Sequence, residues 1–572
     1  MTLMVPMMLL LLSSLLLFLP SISAWTTTCT LPATNKSLPR RRIIIPTSTR
    51  STSLTKKSTT AIAIRRAFTL YERSKDDDDD SLSTKGNEEN ETCCNNIVIL
   101  GGGFGGLNTA LTLDSLPWPK QSKPNIILVD NKERFVFLPL LYELCVGDAD
   151  LEEVAPTFKS LLQKNSNIQF MQRNVQGIDI DNNKVYLTKT PSSVVTTSTS
   201  TSTSTSSDCI NVPYNSLILA TGSSIDLSSI NGATKYALPF YTLNDCYQLR
   251  KELSLIDLYI QQLIINNQDQ ISNNNNNNKS NSISIVIVGG GYSGVELALN
   301  LKQRLTSNDY MSSSTSLDIH ITILHRGQEV LQYANEYNRN NGQSRLRNAG
   351  IHICTNQTVL EVLPPKEQPF TTEEAALSHR CQIVTNESTF DADLLLWTAG
   401  AMSKNEQRDI LNSKLPRDVN GRIVTNEFLR VKGLNNVYAL GDCSRPRKLP
   451  YPATAAVAMQ QAPVVAWNVF SSTMTRKQQD VGSEIGITSY EQLPFEYLDL
   501  GQMMTLGDDD ATITSLNGLF QLDGSIASFT RRLIYAIRMP TLQQALIAAV
   551  SSTNKRLQKS SSNKVQKIID WK

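Results

Sequence analysis

The chain has 572 residues and a formal net charge of +2, because 54 Lys and Arg residues balance 52 Asp and Glu residues. This length allows several domains with large cores, and the balanced charge gives no sign of a nucleic-acid-binding protein. The nine cysteines form no CxxC pair. Their spacing argues against a metal site and against a disulfide scaffold.

The N-terminal part of the chain has the composition of targeting sequences. Residues 1–24 are mostly apolar and end in small residues, as a signal peptide does. Residues 25–75 are rich in Ser, Thr, Arg and Lys and lack acidic residues until Glu72, which is typical of a transit peptide. Together they resemble the bipartite leaders of algae with secondary plastids. We predict an acidic linker over residues 76–94.

A Gly-x-Gly-x-x-Gly fingerprint occurs twice, and each copy lies between an apolar run and a helix-compatible stretch. In that setting the first glycine makes a tight turn, the second admits a pyrophosphate, and the third lets the helix approach the strand. The pyrophosphate then lies at the helix N-terminus. Two copies predict two dinucleotides with electron transfer between them. The glycines are Gly101, Gly103 and Gly106 in the first copy, and Gly289, Gly291 and Gly294 in the second.

The residue at the end of the second strand of each unit indicates which nucleotide is bound. In the first unit the strand Asn125–Asp130 ends in an acid. A carboxylate there hydrogen-bonds the ribose of FAD or NAD, although Asp130 could also cap the next turn. In the second unit His325 and Arg326 stand in its place. Their presence favours NADPH over NADH, unless Arg326 only faces water.

Three further strand ends carry glycine. Thr221-Gly222 and Gly400 close two apolar strands, in Ala-Thr-Gly and Thr-Ala-Gly turns, and Gly441-Asp442 closes a third. We interpret the first two turns as the points where the chain crosses between an FAD domain and an NAD domain. Asp442 is then placed to reach the ribityl–phosphate region of a flavin.

With these features the chain resembles the two-dinucleotide-binding flavoproteins, and within them the type II NAD(P)H:quinone oxidoreductases. The resemblance is closest to the plastid branch, the NAD(P)H–plastoquinone and demethylphylloquinone reductases, and covers residues 95 to about 540. It rests on Gly101–Leu107, Glu133–Glu143, Leu238–Leu243, Gly289–Ala298 and Leu500–Gly507.

The resemblance implies an α/β fold of two Rossmann-like dinucleotide-binding domains with a C-terminal membrane-associating helical region. The expected parts are an FAD-binding domain over residues 95–282 and 390–470, an NAD(P)H-binding domain over residues 283–389, and the C-terminal region over residues 471–572.

The implied activity is hydride transfer from NAD(P)H to FAD, followed by electron transfer to a membrane quinone without proton pumping. Glu296 matches a family position near the nicotinamide, although it could also stabilise the first turn of its helix. Pro139 belongs to a loop that would line the isoalloxazine ring, or that is only a buried turn. Gln460 would contact the flavin and the quinone. The family's preceding glutamine is replaced here by Ala456, which leaves the head-group geometry open.

Two C-terminal stripes have helical spacing. The first consists of Ile526, Phe529, Leu533 and Ile537, with Arg531 and Arg532 beside it, and the second of Leu542, Ala545, Leu546, Ala549 and Val550. Both suit helices lying on a lipid surface, whereas the protein's own core or a second copy in a homodimer could cover them instead. We expect deletion of residues 524–572 to leave FAD binding intact.

These features predict a peripheral protein of the plastid, on the thylakoid or a plastid lipid particle, with the mitochondrial inner membrane as the alternative. A soluble NAD(P)H oxidase, a ferredoxin-type reductase and a non-catalytic flavoprotein remain as other functions.

Overall fold

The computed structural model describes one compact unit within Cys94–Lys572. The predicted signal peptide, transit peptide and acidic linker lie outside the described residues. Within these residues, no helix has both the length and the hydropathy needed to cross a membrane. The described ranges are 95–119, 122–189, 209–272, 281–307, 317–365, 380–402, 414–446, 451–481, 490–507, 509–515 and 518–551.

A seven-stranded sheet forms the first dinucleotide unit, the one that contains the first glycine motif. Five neighbouring strands of this sheet are parallel, and two further strands extend it with antiparallel pairing. Because helices cover a parallel sheet on its faces, Ile97 to Leu100 are almost completely buried. The spatial order is β18 (Val437–Ala439), β6 (Ser216–Leu219), β1 (Asn96–Leu100), β2 (Asn125–Asp130), β3 (Ile168–Asp179), β4 (Lys184–Lys189) and β5 (Ile210–Pro213).

The helices follow in chain order. They are α1 (Phe104–Ser115), α2 (Leu141–Val146), α3 (Leu151–Val154), α4 (Phe158–Leu161), α5 (Ala233–Tyr236), α6 (Leu243–Ser272), α7 (Tyr292–Ser307), α8 (Glu336–Asn348), α9 (Ala455–Val481), α10 (Gly524–Ile537) and α11 (542–551). The helices α1 and α7 follow the two glycine motifs directly, as predicted, and the long helix α9 packs on α1.

A five-stranded parallel sheet forms the second unit, in the order β11 (His352–Cys354), β10 (Leu317–Leu324), β9 (Asn281–Val288), β15 (Leu394–Trp397) and β8 (Ala237–Pro239). The predicted domain over residues 283–389 is therefore too short, since β8 and β15 lie outside it. Strand β15 pairs directly with β9. The sequence motif marks only the centre of this unit, and its flanking strands come from distant parts of the chain.

The two crossings between the units lie side by side. After the turn at Gly222 the short strand β7 (Ser224–Ile225) leads toward the second unit, and after Gly400 the strand β16 (Ala401–Met402) leads back. These two strands pair antiparallel. The remaining strands are β12 (Val359–Leu363), β13 (Cys381–Thr385) and β14 (Thr389–Ala392) in an antiparallel sheet, and β17 (Ile423–Thr425) paired with β19 (Ser444–Pro446).

The C-terminal region connects both units. The prediction of a helical region over residues 471–572 is wrong in one respect, because an antiparallel sheet of β20 (Gln502–Thr505), β21 (Ala511–Ser515) and β22 (Phe520–Asp523) precedes α10. This sheet contacts α7 and α8 of the second unit. Arg345 of α8 also forms an ion pair with Asp510, the residue directly before β21. The Arg345 Nε lies 2.7 Å from an Asp510 oxygen.

Candidate functional site

The first glycine loop has the steric features of a dinucleotide cradle. Gly101 has φ +103°, and a Cβ there would stand 2.3 Å from the Ala220 carbonyl oxygen. A Cβ on Gly106 would stand 1.8 Å from the Gly101 oxygen, so only glycine lets α1 come this close to β1. At Gly103, by contrast, a Cβ would meet nothing within 4 Å. The loop therefore has open space where a pyrophosphate would lie.

The second loop repeats the same pattern. Gly289 has φ +120°, and a Cβ on Gly294 would stand 1.8 Å from the Gly289 oxygen. Gly291 again faces open space within 4 Å. Thr398, in the turn before Gly400, binds the strand end before this loop, since its hydroxyl donates to the Val288 oxygen at 3.1 Å. Both cradles fit a dinucleotide phosphate.

The two strand ends differ in chemistry but not in position. The Gly102 N–H donates to Asp130 Oδ2 at 2.6 Å, and the Gly290 N–H donates to His325 Nδ1 at 3.1 Å. Burial, and then the charge of Arg326, lower the pKa of His325, which keeps the imidazole a neutral acceptor. Arg326 itself is exposed. The second unit therefore replaces a carboxylate with an uncharged group at the same hydrogen bond.

Asp442 lies at the crossing between the units. Its Oδ2 accepts from the Ser223 hydroxyl at 2.9 Å and from the Tyr241 hydroxyl at 3.5 Å. Burial raises the pKa of the Asp442 carboxyl, and the two hydroxyls act in the opposite direction. The turn before it depends on Gly441, which has φ +71° and whose N–H donates to Gln461 Oε1 at 2.7 Å.

Thr221, Gly222 and Gly400 belong to the paired turns beside Asp442. Gly222 has φ +68° and Gly400 has φ +75°, and a Cβ on either would meet nothing within 4 Å. The structure therefore brings together the predicted residues of the first loop, the two crossings and the Gly441-Asp442 turn at the carboxyl ends of the parallel strands. Ligands of open α/β sheets bind at such strand ends.

Pro139 is the middle residue of a short 3₁₀ helix, Leu138–Leu140, directly before α2. The preceding Phe137 is buried, with its ring 5.3 Å from that of Phe104 in the first glycine helix. It is also 5.3 Å from the ring of Tyr535 on α10. The loop thus joins the first cradle to the C-terminal helix.

Glu296 is buried in the first turns of α7. Its Oε1 accepts from the Thr505 N–H of β20 at 2.9 Å. Burial raises the pKa of its carboxyl to about 7, whereas the Thr505 N–H and the Arg531 charge lower it and Glu143 raises it. A carboxyl group that titrates near neutral pH can change its charge during turnover.

Gln460 has both ends of its amide bound to the main chain of Leu498. Its Nε2 donates to the Leu498 oxygen at 2.9 Å, and its Oε1 accepts from the Leu498 N–H at 3.0 Å. In this structure the amide holds the segment before β20. Its neighbour Gln461, which sequence reasoning assigned no role, holds the Gly441 turn.

The sequence also missed a buried charge cluster on α2 and α10. Arg531 and Arg532 both pair with the Glu143 carboxylate. For Arg531 the expectation that it lies beside the outward stripe is wrong, because α10 turns about 100° per residue and places Arg531 opposite that stripe, where it is buried. The expectation that deletion of residues 524–572 leaves FAD binding intact stays a prediction, and the pairing of Glu143 with both arginines argues against it. The helical spacing of Ala527, Arg531 and Tyr535 could have revealed this inward face.

Comparisons with known proteins agree with this geometry. Residues 95–462 match the family model described as pyridine nucleotide-disulphide oxidoreductase. Demethylphylloquinone reductase NdbB of Synechocystis sp. is 33% identical over 452 residues, which cover 78% of this chain and 93% of the relative. The alternative NAD(P)H-ubiquinone oxidoreductase C1, chloroplastic/mitochondrial, of Arabidopsis thaliana is 31% identical over 467 residues, covering 78% of each chain.

Among solved structures, NDH2 from Plasmodium falciparum in complex with NADH shares the fold, with a TM-score of 0.62 at 18% identity over 81% of this chain and 98% of that chain. The chain belongs to the pyridine nucleotide-disulphide oxidoreductase family. Within that family it is a type II NAD(P)H:quinone oxidoreductase, an FAD-dependent enzyme class that pumps no protons.

Proposed function

We propose that this protein takes a hydride from NADPH or NADH, stores the electrons on FAD, and passes them to a membrane quinone of the plastid. Plastoquinone or a phylloquinone precursor is the expected acceptor, in line with the printed names of its relatives. The observation that carries the proposal is the pair of open glycine cradles, joined by crossings that lie side by side.

In this proposal the first cradle binds FAD through Gly101, Gly103, Gly106 and the carboxylates of Asp130 and Asp442. FAD supplies the hydride acceptor and the electron store when it is bound. Pro139 and its loop form one wall of the flavin site, while Thr221, Gly222, Gly400 and Gly441 shape the turns around it. Gln460 shapes the acceptor side by fixing the Leu498 segment rather than through a free amide.

The second cradle binds the nicotinamide nucleotide through Gly289, Gly291 and Gly294. His325 is neutral and does not repel a 2′-phosphate, and the exposed Arg326 is available to pair with one. We therefore propose that NADPH is used at least as well as NADH. Glu296, at the start of the same helix, lies on the nicotinamide side.

The C-terminal helices support docking on a lipid surface. On α10 the exposed side chains include Ile526 and Phe529, while Leu533 and Ile537 are half-buried. On α11, Leu542, Leu546 and Val550 are exposed, whereas Gln544 Nε2 donates inward to the Glu153 oxygen at 3.0 Å. Both helices thus expose apolar side chains and carry a buried polar side chain, Arg531 on α10 and Gln544 on α11, and exposed apolar side chains of this kind suit the membrane interface.

A lipid test separates this enzyme from a soluble oxidase or a ferredoxin-type reductase. Ile526→Ser together with Phe529→Ser changes only exposed side chains, so FAD content and ferricyanide reduction are expected to stay at the unmodified level. Flotation with liposomes of plastid lipids and turnover of a long-tailed quinone are expected to fall. Unchanged flotation would favour the alternatives, and a concentration-dependent change in mass would indicate that a homodimer covers the stripe.

The proposed reaction is tested with purified mature protein, NADPH or NADH, and plastoquinone, a naphthoquinone or ferricyanide as acceptor. We expect non-covalent FAD and turnover with both quinones. A protein that carries FMN or no flavin, or that reduces ferricyanide but neither quinone, would contradict the proposal.

A further inference from the structure

Gln502, on strand β20 of the C-terminal sheet, accepts three hydrogen bonds at one amide oxygen. Its Oε1 accepts from the Tyr292 hydroxyl at 2.6 Å, from the Asn335 N–H at 2.9 Å and from Asn335 Nδ2 at 3.0 Å. An amide oxygen has two lone pairs, so three donors use its accepting capacity fully. One side chain of the C-terminal region is therefore the common partner of two residues of the second unit.

Tyr292 belongs to the glycine loop of the second cradle. It is the first residue of α7 and directly follows Gly291, the glycine at which a Cβ would meet open space. A dinucleotide pyrophosphate binds the free N–H groups of such a helix N-terminus, so the direction in which α7 begins decides where those groups point. The half-buried Tyr292 side chain fixes that first turn through its hydrogen bond to Gln502.

Asn335 belongs to the loop that follows β10, residues 325–335, which we name the ribose loop. The first residues of this loop are His325 and Arg326, to which the proposed function assigns the choice between NADPH and NADH. Its last residue, Asn335, is the N-cap of α8. Gln502 therefore holds the ribose loop at the end that lies farther along the chain from the residues proposed to select the nucleotide.

The ribose loop and the glycine loop are also joined directly at Gly290. The Gly290 N–H donates to His325 Nδ1 at 3.1 Å, and the Gly290 oxygen accepts from the Leu331 N–H at 2.7 Å. Leu331 is buried and has φ +59°, a left-handed conformation that residues with a side chain seldom adopt. Gly290 thus fixes the first half of the ribose loop, and Gln502 fixes its end.

We propose that Gln502 is a positioning residue for the nicotinamide nucleotide: its amide oxygen ties the first turn of α7 to the end of the ribose loop, so that both walls of the second cradle are set before the nucleotide binds. The proposal rests on the proposed function, which assigns NADPH or NADH to this cradle. Gln502 acts through Tyr292 and Asn335. A cradle that already has its bound shape binds more tightly, because binding then requires no ordering of the two loops.

The Gln502 side chain can be changed while other contacts of the C-terminal sheet with the second unit remain. The main-chain oxygen of Gln502 accepts from Asn338 Nδ2 at 3.3 Å. The Thr514 hydroxyl of β21 accepts from Asn335 Nδ2. Neither bond uses the Gln502 amide, so a substitution of that side chain tests the amide and not the attachment of the sheet.

The test is calorimetric binding of NADP⁺ and of NAD⁺ to the full-length flavinated protein. Gln502→Met keeps the length of the side chain and removes the acceptor oxygen. We expect both affinities to fall about fivefold to tenfold, because the two loops lose their common partner. The two falls should agree within about twofold, because the ribose-selecting residues His325 and Arg326 are unchanged.

A double variant tests whether Gln502 acts through Tyr292. Tyr292→Phe removes only the hydroxyl and is expected to weaken both nucleotides by about twofold to fivefold. In the Tyr292→Phe protein, Gln502→Met should lower the affinities by only about twofold to threefold, since part of its effect is already lost. If Gln502→Met alone does not retain FAD, the weaker binding expected of Tyr292→Phe decides the matter by itself.

The matched control is Gln521→Met, which makes the same chemical change at an exposed residue of β22 in the same sheet. It is expected to leave both affinities unchanged. In turnover of NADPH with ferricyanide, Gln502→Met should raise the KM for NADPH and keep kcat and FAD content close to those of the unmodified protein. A general loss of structure would lower kcat and FAD content as well.

Unchanged affinities in flavinated Gln502→Met, a loss confined to NADP⁺, an equal loss in Gln521→Met, or losses that simply multiply in the double variant would each overturn the proposal. The binding measurement needs no turnover. A protein with the expected binding differences that reduces no quinone would contradict the proposed function and leave the role of Gln502 in place. An unmodified protein that binds neither nucleotide would contradict both.

Discussion

The two dinucleotide units have the same loop geometry but differ in the charge of the residue at the end of the second strand. In both, the third glycine is required because a Cβ would stand 1.8 Å from the carbonyl of the first. In both, the group at the end of the second strand accepts a hydrogen bond from the loop. That group is a carboxylate in the first unit and an imidazole in the second. The hydrogen bond to the glycine loop is thus kept while the charge of its acceptor changes. The loop can therefore bind phosphate in both units, while the residue at the strand end selects the ribose.

Replacing the third glycine by alanine should affect flavin content in the first loop and flavin reduction by NADPH in the second. Gly106→Ala places a methyl group against a backbone carbonyl in the FAD unit, at a cost of the order of 3 kcal/mol, and we expect protein without flavin and with a lower Tm. Gly294→Ala makes the same clash in the second unit. It should leave the protein yellow while abolishing flavin reduction by NADPH. Normal reduction in the second variant would show that the nucleotide binds elsewhere.

Deleting residues 524–572 should destabilise the first unit more than the second. The deletion removes both cations that pair with the buried Glu143 carboxylate, and leaving such a charge without its partner costs about 3–5 kcal/mol. We expect loss of FAD in the purified truncated protein. Glu143→Gln in the truncated chain removes the stranded charge and should restore part of the FAD content. Full FAD content in the simple truncation would contradict the structural role of this pair.

Arg326→Glu should have the smallest effect on nucleotide choice. The side chain is exposed, and surface ion pairs contribute about 0.2–1 kcal/mol. We expect the ratio of kcat/KM for NADPH over NADH to fall about two- to fivefold. Arg326→Gln, which removes the charge without reversing it, should lie between the two. A ratio unaffected by both would place the 2′-phosphate away from Arg326.

The local elements could be predicted from the sequence because their signals are short-range. The strand Asn125–Asp130 has the expected bounds, and strands β1 and β9 lie directly before the two glycine motifs, where apolar runs predicted them. Domain limits could not be predicted, because β8 and β15 join the second sheet through long-range pairing. The buried Glu143–Arg531 pair joins residues 388 apart in sequence, a separation at which no spacing pattern connects them.

The same limit applies to the site. The sequence identified Asp130 and His325 as counterparts, since both follow the second strand of a repeated motif. It could not show that each accepts a hydrogen bond from its own glycine loop. Gln460 was expected to face the flavin, but its amide is bound to Leu498, a partner that only the tertiary structure brings within reach.

The most direct test of the difference between the two strand ends is His325→Asp. This substitution gives the second unit a carboxylate at the position that Asp130 occupies in the first. The new carboxylate can still accept from the Gly290 N–H, so the loop should remain intact. Calorimetric binding of 2′,5′-ADP and of ADP to the flavinated protein measures selection without turnover. We expect the preference for 2′,5′-ADP to fall about tenfold or more through charge repulsion, and His325→Asn, a neutral acceptor, to keep it. An unchanged preference in His325→Asp would contradict the assignment of ribose selection to this strand end.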